Sequence, residues 1–190
     1  MPTLRRSVAP GSQLGCSEYL AHSLGRTDDL GPAPSLDLEA EQVVQIFVRE
    51  AIRQGLLQSA HDCSEGGLAV AIAECCIAGG LGFRARMSVG SLRHLGRQVG
   101  RSARIDANLF GEGQSRFIIS CKPDNSQRVL TLFASICEAS DARWTKQSTG
   151  WGCGEIGVVG GDAFVWPDEW SGPLISVPVK ELARAWNTPF

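Results

Sequence analysis

An α+β fold, a mixed β-sheet flanked by helices, is predicted by three observations. Two long stretches carry apolar residues at helical spacing, and several short β-branched and aromatic stretches lie between glycine-rich turns. The two kinds do not alternate strictly along the chain, which argues against a doubly wound parallel sheet. The 190 residues, 43% of them apolar, suffice for one core and leave little room for a second large domain.

Residues 1–34 are rich in Gly, Pro, Ser and Arg and read as a linker or N-terminal arm that needs a partner, with one helix-like piece over 17–21. The main domain is expected over 35–180. Leu36, Ala40, Val43, Val44, Phe47, Ala51 and Ile52 recur at helical spacing, with Asp37, Glu39 and Glu41 in the first turn and Gly55 after the last. That pattern specifies an amphipathic helix. A short strand over 56–60 follows, then an acidic turn, then a nearly uncharged helix over 67–78 that ends at Gly79-Gly80. So apolar a helix is buried on most sides. Phe83, Ala85 and Met87 alternate with Arg84 and Arg86 as a half-exposed strand, and 115–121 forms another that Lys122-Pro123-Asp124-Asn125 stops. A second amphipathic helix is expected over 126–139, using Val129, Leu130, Leu132, Phe133 and Ile136. Strands are expected near 142–145, 155–159, 163–166 and 174–177, with Gly160-Gly161-Asp162 as a hairpin turn. A last short helix starts near Pro178, and 181–190 reads as a tail that stops short of a natural C-terminus.

Lys and Arg number 18 against 20 Asp and Glu, so a net charge of −2 gives no electrostatic reason to expect a nucleic-acid or membrane partner. No apolar run approaches a bilayer span or a signal-peptide core, and a cytosolic setting is expected. The seven cysteines include no CxxC pair, and free thiols in a reducing compartment account for them. Cys63 beside His61 and Asp62 is a poor nucleophile–base pair, because neighbours in an extended turn point apart. Gly150-Trp151-Gly152-Cys153-Gly154 precedes a strand rather than a helix, so it is no dinucleotide fingerprint. GxxxxGK[ST], HExxH and GxSxG are absent. His22 and His94 read as surface residues, and the tryptophans as packing residues.

Two segments carry candidate chemistry. In Ser59-Ala60-His61-Asp62-Cys63-Ser64-Glu65-Gly66-Gly67-Leu68 an apolar strand ends in an acidic, glycine-bearing turn that opens a helix. The first N–H groups of a helix lack intrahelical partners and carry its positive dipole end, so Asp62, Ser64, Gly66 and Gly67 are candidates for holding phosphate or a metal–phosphate pair. The same pattern is also a common helix cap, and both readings stand. In Leu109-Phe110-Gly111-Glu112-Gly113-Gln114-Ser115-Arg116-Phe117, glycines flank a carboxylate before a buried strand. Glu112 and Gln114 share a face if extended, and could complete a site begun by Asp62, with Asp62 and Glu112 as metal ligands. The alternative is that Glu112 pairs with Arg116 or another cation.

Four segments together resemble a known family: Gly15-Cys16-Ser17-Glu18-Tyr19-Leu20, Arg49-Glu50-Ala51-Ile52-Arg53-Gln54-Gly55, the stretch 59–82, and 109–117. They are similar to phosphoribosylformylglycinamidine synthase, and more narrowly to the C-terminal domain of its second half, within the aminoimidazole ribonucleotide synthetase superfamily. The resemblance runs over residues 14–165. It implies an ATP-dependent carbon–nitrogen ligase of purine biosynthesis, which activates the amide oxygen of formylglycinamide ribonucleotide and lets ammonia from glutamine form the amidine. It implies Mg²⁺ and ATP or ADP as cofactors of the parent enzyme, and as partners the remaining domains and a glutaminase subunit or domain. The family's catalytic histidine and ATP-gripping residues belong to parts outside this chain, so no catalytic residue is assigned here and the isolated chain is expected to be silent and prone to self-association. By resemblance, Asp62, Ser64, Gly66 and Gly67 face the phosphate–metal region with Glu112 and Gln114 opposite. The chain departs from the family pattern His-Asp-Val-Ser-Asp-Gly-Gly at Cys63 and Glu65, and from Gly-Glu-Ser-Gln at Gly113, which removes a hydroxyl. A non-catalytic nucleotide-binding or assembly module with a structural ADP site is the alternative. Selenophosphate synthetases and thiamine-phosphate kinases lack the long helix and its lead-in in this arrangement.

Overall fold

The computed structural model describes residues 2–5, 14–23, 25, 30–86, 104–140, 152–168 and 172–188. In chain order they form β1 (Pro2–Arg5), a π-helical turn (Tyr19–Ser23), α1 (Leu38–Arg53), β2 (Leu57–Asp62), α2 (Gly67–Gly79), β3 (Phe83–Ala85), α3 (Ile105–Phe110) and β4 (Phe117–Cys121). Then follow α4 (Ser126–Ala139), β5 (Gly152–Glu155), β6 (Gly157–Val159), β7 (Ala163–Trp166), β8 (Ile175–Pro178) and α5 (Val179–Trp186). The class is α+β as expected, but the strands divide into two four-stranded sheets rather than one. The first is antiparallel, in the order β2-β4-β1-β5. The second, β6-β3-β7-β8, is mixed, because β3 and β7 run parallel.

The division falls inside the strand expected over 155–159. Ile156 is buried at the break, β5 pairs with β1, and β6 pairs with β3. Gly157 permits the crossing, since a Cβ there would lie 2.3 Å from the Arg84 carbonyl oxygen and 2.5 Å from the Phe83 ring. The strand expected near 142–145 and Met87 lie outside the described residues.

The start of the chain is not a separate linker. β1 lies between β4 and β5, with Thr3 opposite Ile118 and Leu4 opposite both Phe117 and Cys153. Four residues of Pro-Thr-Leu-Arg show no alternation that announces a strand, and it is the ladders on both sides that define one. At the other end, α5 runs through the boundary expected at 180. Val179 N–H donates to Asp162 O at 2.8 Å and Leu182 packs on the core, so part of the expected tail is an integral helix.

α1 begins two residues later than Leu36. Asp37 is its N-cap, and its carboxylate accepts the Ala40 N–H at 3.1 Å. Leu36 stays exposed, and so does Ile52, at 56% exposure, because the buried stripe is Ala40, Val43, Val44, Phe47, Val48 and Ala51. That stripe meets Leu56, Ile119 and Val129 on one face of the first sheet, where Phe47 and Phe133 pack edge to face at 5.2 Å. On the other face Ile118 joins Leu68 and Ile72 of α2 and Phe83, Phe164 and Trp166 of the second sheet. Adjacent isoleucines of β4 therefore point into two different cores, as strand alternation requires. The core of α2 is apolar on several sides, as its sequence predicts, with Leu68, Ala69, Ala71, Ile72 and Cys76 buried. The seven cysteines are free thiols, and burial pushes Cys76 up to about 11 and Cys153 up to about 12. No helix among the described residues is long and apolar enough to cross a membrane.

Candidate functional site

β2 delivers Asp62 to the edge of a cleft at the start of α2. Just past the strand's end the Cys63 N–H donates to Arg116 O at 2.8 Å, a last rung in the register that pairs Asp62 with Phe117. Ser64 then turns back, and its hydroxyl donates to Asp62 Oδ2 at 2.6 Å. That hydrogen bond is the main reason the Asp62 carboxyl lies below the ordinary aspartate value, with His61 adding to it. His61 itself bridges towards α2, its Nε2 lying 3.6 Å from Glu74 Oε2.

Two glycines follow in the left-handed region, Gly66 at φ 73° and Gly67 at φ 68°. Both are candidates, from the sequence, for holding phosphate. In the fold the close approach at Gly67 is made by this chain's own backbone. A Cβ on Gly67 would lie 2.6 Å from Gly111 O and 2.8 Å from the Phe110 carbonyl carbon. Bare glycine lets the end of α3 and the loop after it lie against the start of α2.

That loop carries Glu112. Its Oε1 accepts the Gly66 N–H at 2.8 Å and the Glu18 N–H at 2.9 Å. A carboxylate is well placed there, at the positive end of a 13-residue helix with unpaired N–H groups. Glu112 does not pair with Arg116, the alternative its spacing allowed. Arg116 is buried, only 3% exposed, and its Nη1 donates to Gly111 O at 2.7 Å and its Nη2 to Asn108 O at 3.2 Å. The arginine thus satisfies carbonyls at the end of α3, and its Nε is buried with no partner.

Asp62, Ser64, Glu112 and Gln114 all line one cleft of about 400 Å³. Gly66 and Gly67 are not among its lining residues; the Gly66 N–H donates to Glu112 Oε1 and the Gly67 N–H to Ser64 O at 3.1 Å. Sequence reasoning missed several other wall residues: Cys16, Glu41, Glu65, Ser115 and Arg116. Glu41 comes from the first turn of α1, where its charge had been explained by the helix dipole alone; in the fold its Oε2 accepts the hydroxyl of buried Ser115. Ser115 itself sits at φ 58°, an uncommon conformation for a residue other than glycine.

The walls are strongly acidic. Glu41, Asp62, Glu65 and Glu112 face the cleft, and Arg116 has given both its Nη groups to carbonyls. Among the described residues no group of three or more His, Cys, Asp or Glu side chains is arranged to hold a metal by itself. The donor set fits Mg²⁺, which takes one or two carboxylates and fills its octahedron with water and phosphate oxygens, better than it fits an all-protein cage. Asp62 and Glu112 could hold it, since Glu112 commits Oε1 alone to backbone donors.

A family model described as "AIR synthase related protein, C-terminal domain" matches residues 7–142. The phosphoribosylformylglycinamidine synthase subunit PurL of Anaeromyxobacter sp. (strain Fw109-5) is 43% identical over 177 residues, covering 92% of this chain and 20% of that protein. The subunit of the same name from Thermomicrobium roseum is 37% identical over 175 residues, with the same two shares. The chain therefore spans about a fifth of the length of these curated relatives. Among solved structures, T. maritima PurL complexed with FGAR aligns with a TM-score of 0.67 at 19% identity, over 96% of this chain and 27% of that one. At that identity the likeness establishes the fold.

Proposed function

The chain belongs to the AIR synthase related protein family as its C-terminal domain, and from that premise we propose that it serves as one domain of an ATP-dependent phosphoribosylformylglycinamidine synthase. The whole enzyme would convert formylglycinamide ribonucleotide, ATP and glutamine-derived ammonia to the amidine in cytosolic purine biosynthesis. Its partners would be the remaining synthase domains and a glutaminase subunit or domain. In this reading the domain contributes a nucleotide-binding wall and no catalytic group.

One observation carries the reading. Asp62, at the end of β2, and Glu112, in the loop after α3, line a single cleft at the start of α2. Asp62, Ser64, Gly66, Gly67, Glu112 and Gln114 are the proposed nucleotide and phosphate contacts, with Asp62 and Glu112 as ligands of Mg²⁺. Bound Mg²⁺ would supply the charge neutralisation that lets a polyphosphate enter a cleft walled by four carboxylates. Ser64 holds the Asp62 carboxylate in its ionised form by donating its hydroxyl. The Gln114 amide offers a donor to a ligand oxygen.

A second reading, a structural ADP site in a non-catalytic assembly module, is favoured by the cleft's composition. Neither histidine nor lysine is among its described lining residues, whose polar side chains are mainly carboxylates and hydroxyls suited to holding a metal–nucleotide pair. Calorimetric titration of this chain with Mg·ADP, beside Asp62→Ala, tests the site. Saturable binding lost in the variant is the expected result, and retention without ATP hydrolysis favours the structural version. Absence of binding in the wild-type chain, or equal binding by the variant, overturns the assignment.

A further inference from the structure

Glu112 does something in this fold that a ligand of a metal need not do. Segments 46 and 94 residues away in the chain meet on its Oε1, one through the Gly66 N–H and one through the Glu18 N–H. The second of these belongs to the segment 14–23, which has its own packing against the same loop. Leu14 and Ser17 are buried, and the Ser17 hydroxyl donates to Leu14 O at 2.6 Å. The Tyr19 ring stacks on Phe110 with centroids 4.8 Å apart and planes 4° from parallel. Cys16, at φ 57°, donates its N–H to Leu30 O at 2.9 Å and its thiol to Gly31 O at 3.0 Å. Gly15 and Cys16 line the same cleft as Asp62 and Glu112.

We propose that Glu112 is a positioning residue, which acts as a hydrogen-bond acceptor to clasp the 14–23 segment and the start of α2 to each other and so builds one wall of the cleft. The physical basis is the double donation to one oxygen. Hydrogen bonds from N–H groups to a carboxylate are about twice as strong as neutral ones, and this carboxylate lies at the positive end of α2. Neither donor is used inside a helix: the Gly66 N–H precedes the first turn of α2, and the Glu18 N–H enters a five-residue π-helical turn whose internal bonds start later. The clasp makes docking of the segment and order in the turn at Gly66 a single event. Its consequence for ligand binding rests on the nucleotide-site reading above, while the clasp itself does not.

Residue-resolved amide hydrogen exchange on the whole chain tests this with Glu112→Gln and Glu112→Ala. Glutamine keeps an acceptor oxygen at the same place without the charge, whereas alanine removes it. In Glu112→Ala the protection of the Glu18 and Gly66 amides should fall together, by about tenfold or more, while amides in the middle of α1 keep theirs. In Glu112→Gln both should keep part of their protection, in similar ratio. Retained protection at Glu18 in the alanine variant, or independent responses of the two amides, would overturn the proposal. Should Glu112→Ala fail to fold, the glutamine variant decides alone: parallel partial loss supports the clasp and loss at one amide only refutes it. Mg·ADP titration of the same proteins separates the two readings, because a wild-type chain that binds no Mg·ADP removes the ligand site and leaves the exchange result to judge the clasp.

Discussion

Gly67→Ala should be among the most damaging single-methyl additions to this chain. The residue is at φ 68°, a conformation that costs an L-residue about 1–2 kcal/mol. The new Cβ would also lie 2.6 Å from Gly111 O, 2.8 Å from the Phe110 carbonyl carbon and 3.1 Å from Leu109 O. All three are backbone atoms. Phe110 and Gly111 are held in turn by Tyr19 and by the buried Arg116, so the neighbours cannot swing aside as a flexible side chain would. Forced overpacking of this kind costs about 1–3 kcal/mol, which brings the sum to about 2–5 kcal/mol. Gly55→Ala is the matched control. Gly55 has φ 66°, and nothing lies within 4 Å of its would-be Cβ, so only the conformational part applies. With an m-value of about 2 kcal/mol/M in urea, the extra clash should lower the Gly67→Ala midpoint by about 0.5–1.5 M beyond that of Gly55→Ala. Equal midpoints for the two variants, at unchanged m, would refute the packing account and return Gly67 to the role of a glycine kept open for a ligand.

Two further outcomes concern titrating groups. Ser64→Ala should raise the Asp62 pKa towards the ordinary aspartate value, because the Ser64 hydroxyl is the largest cause of its depression; a carboxylate NMR titration measures this, and an unchanged value would show that His61 or the backbone sets it. Since the folded value is depressed, the stability linked to Asp62 is present at neutral pH and is lost as pH falls through that value, and Ser64→Ala should make the loss smaller. The thiols should separate by burial. At pH 8 a thiol reagent should modify exposed Cys16 first, and Cys76 and Cys153, pushed up to about 11 and about 12, only as the chain unfolds; a single common rate in the native state would contradict this. For these two the folded value is raised, so the linked stability is present below the ordinary thiol value and is lost as pH climbs through the folded value.

The elements that periodicity can encode were legible. The buried stripe of α1 follows from spacing at 3.6 residues and the apolar α2 from its lack of charge, whereas β4, read as half-exposed, in fact sends Ile118 and Ile119 into two different cores. What was not legible is pairing that depends on distant partners. β1 is four residues of ordinary composition, and its place between β4 and β5 is set by two ladders to strands more than a hundred residues on. The break at Ile156 was hidden for the same reason: a run of alternating apolar residues looks like one strand until two sheets claim its two halves.

The cleft follows the same division. Asp62 and Glu112 were visible because each sits in a glycine-bearing turn beside a strand, and such turns have few residue types to choose from. Glu41 was invisible because an acid in the first turn of a helix already has an explanation in the dipole, and nothing local says that Ser115 donates to it. Arg116 misled more directly. Four residues from Glu112, it invited an ion pair, yet burial among the carbonyls of a short helix end gives a guanidinium two acceptors in fork geometry without a carboxylate. That choice leaves Glu112 for the backbone donors of Glu18 and Gly66. An Arg116–Glu112 pair would have left the start of α2 without its anion and the 14–23 segment without its anchor. The arrangement that surface-charge reasoning favours is therefore the one that would take the cleft apart.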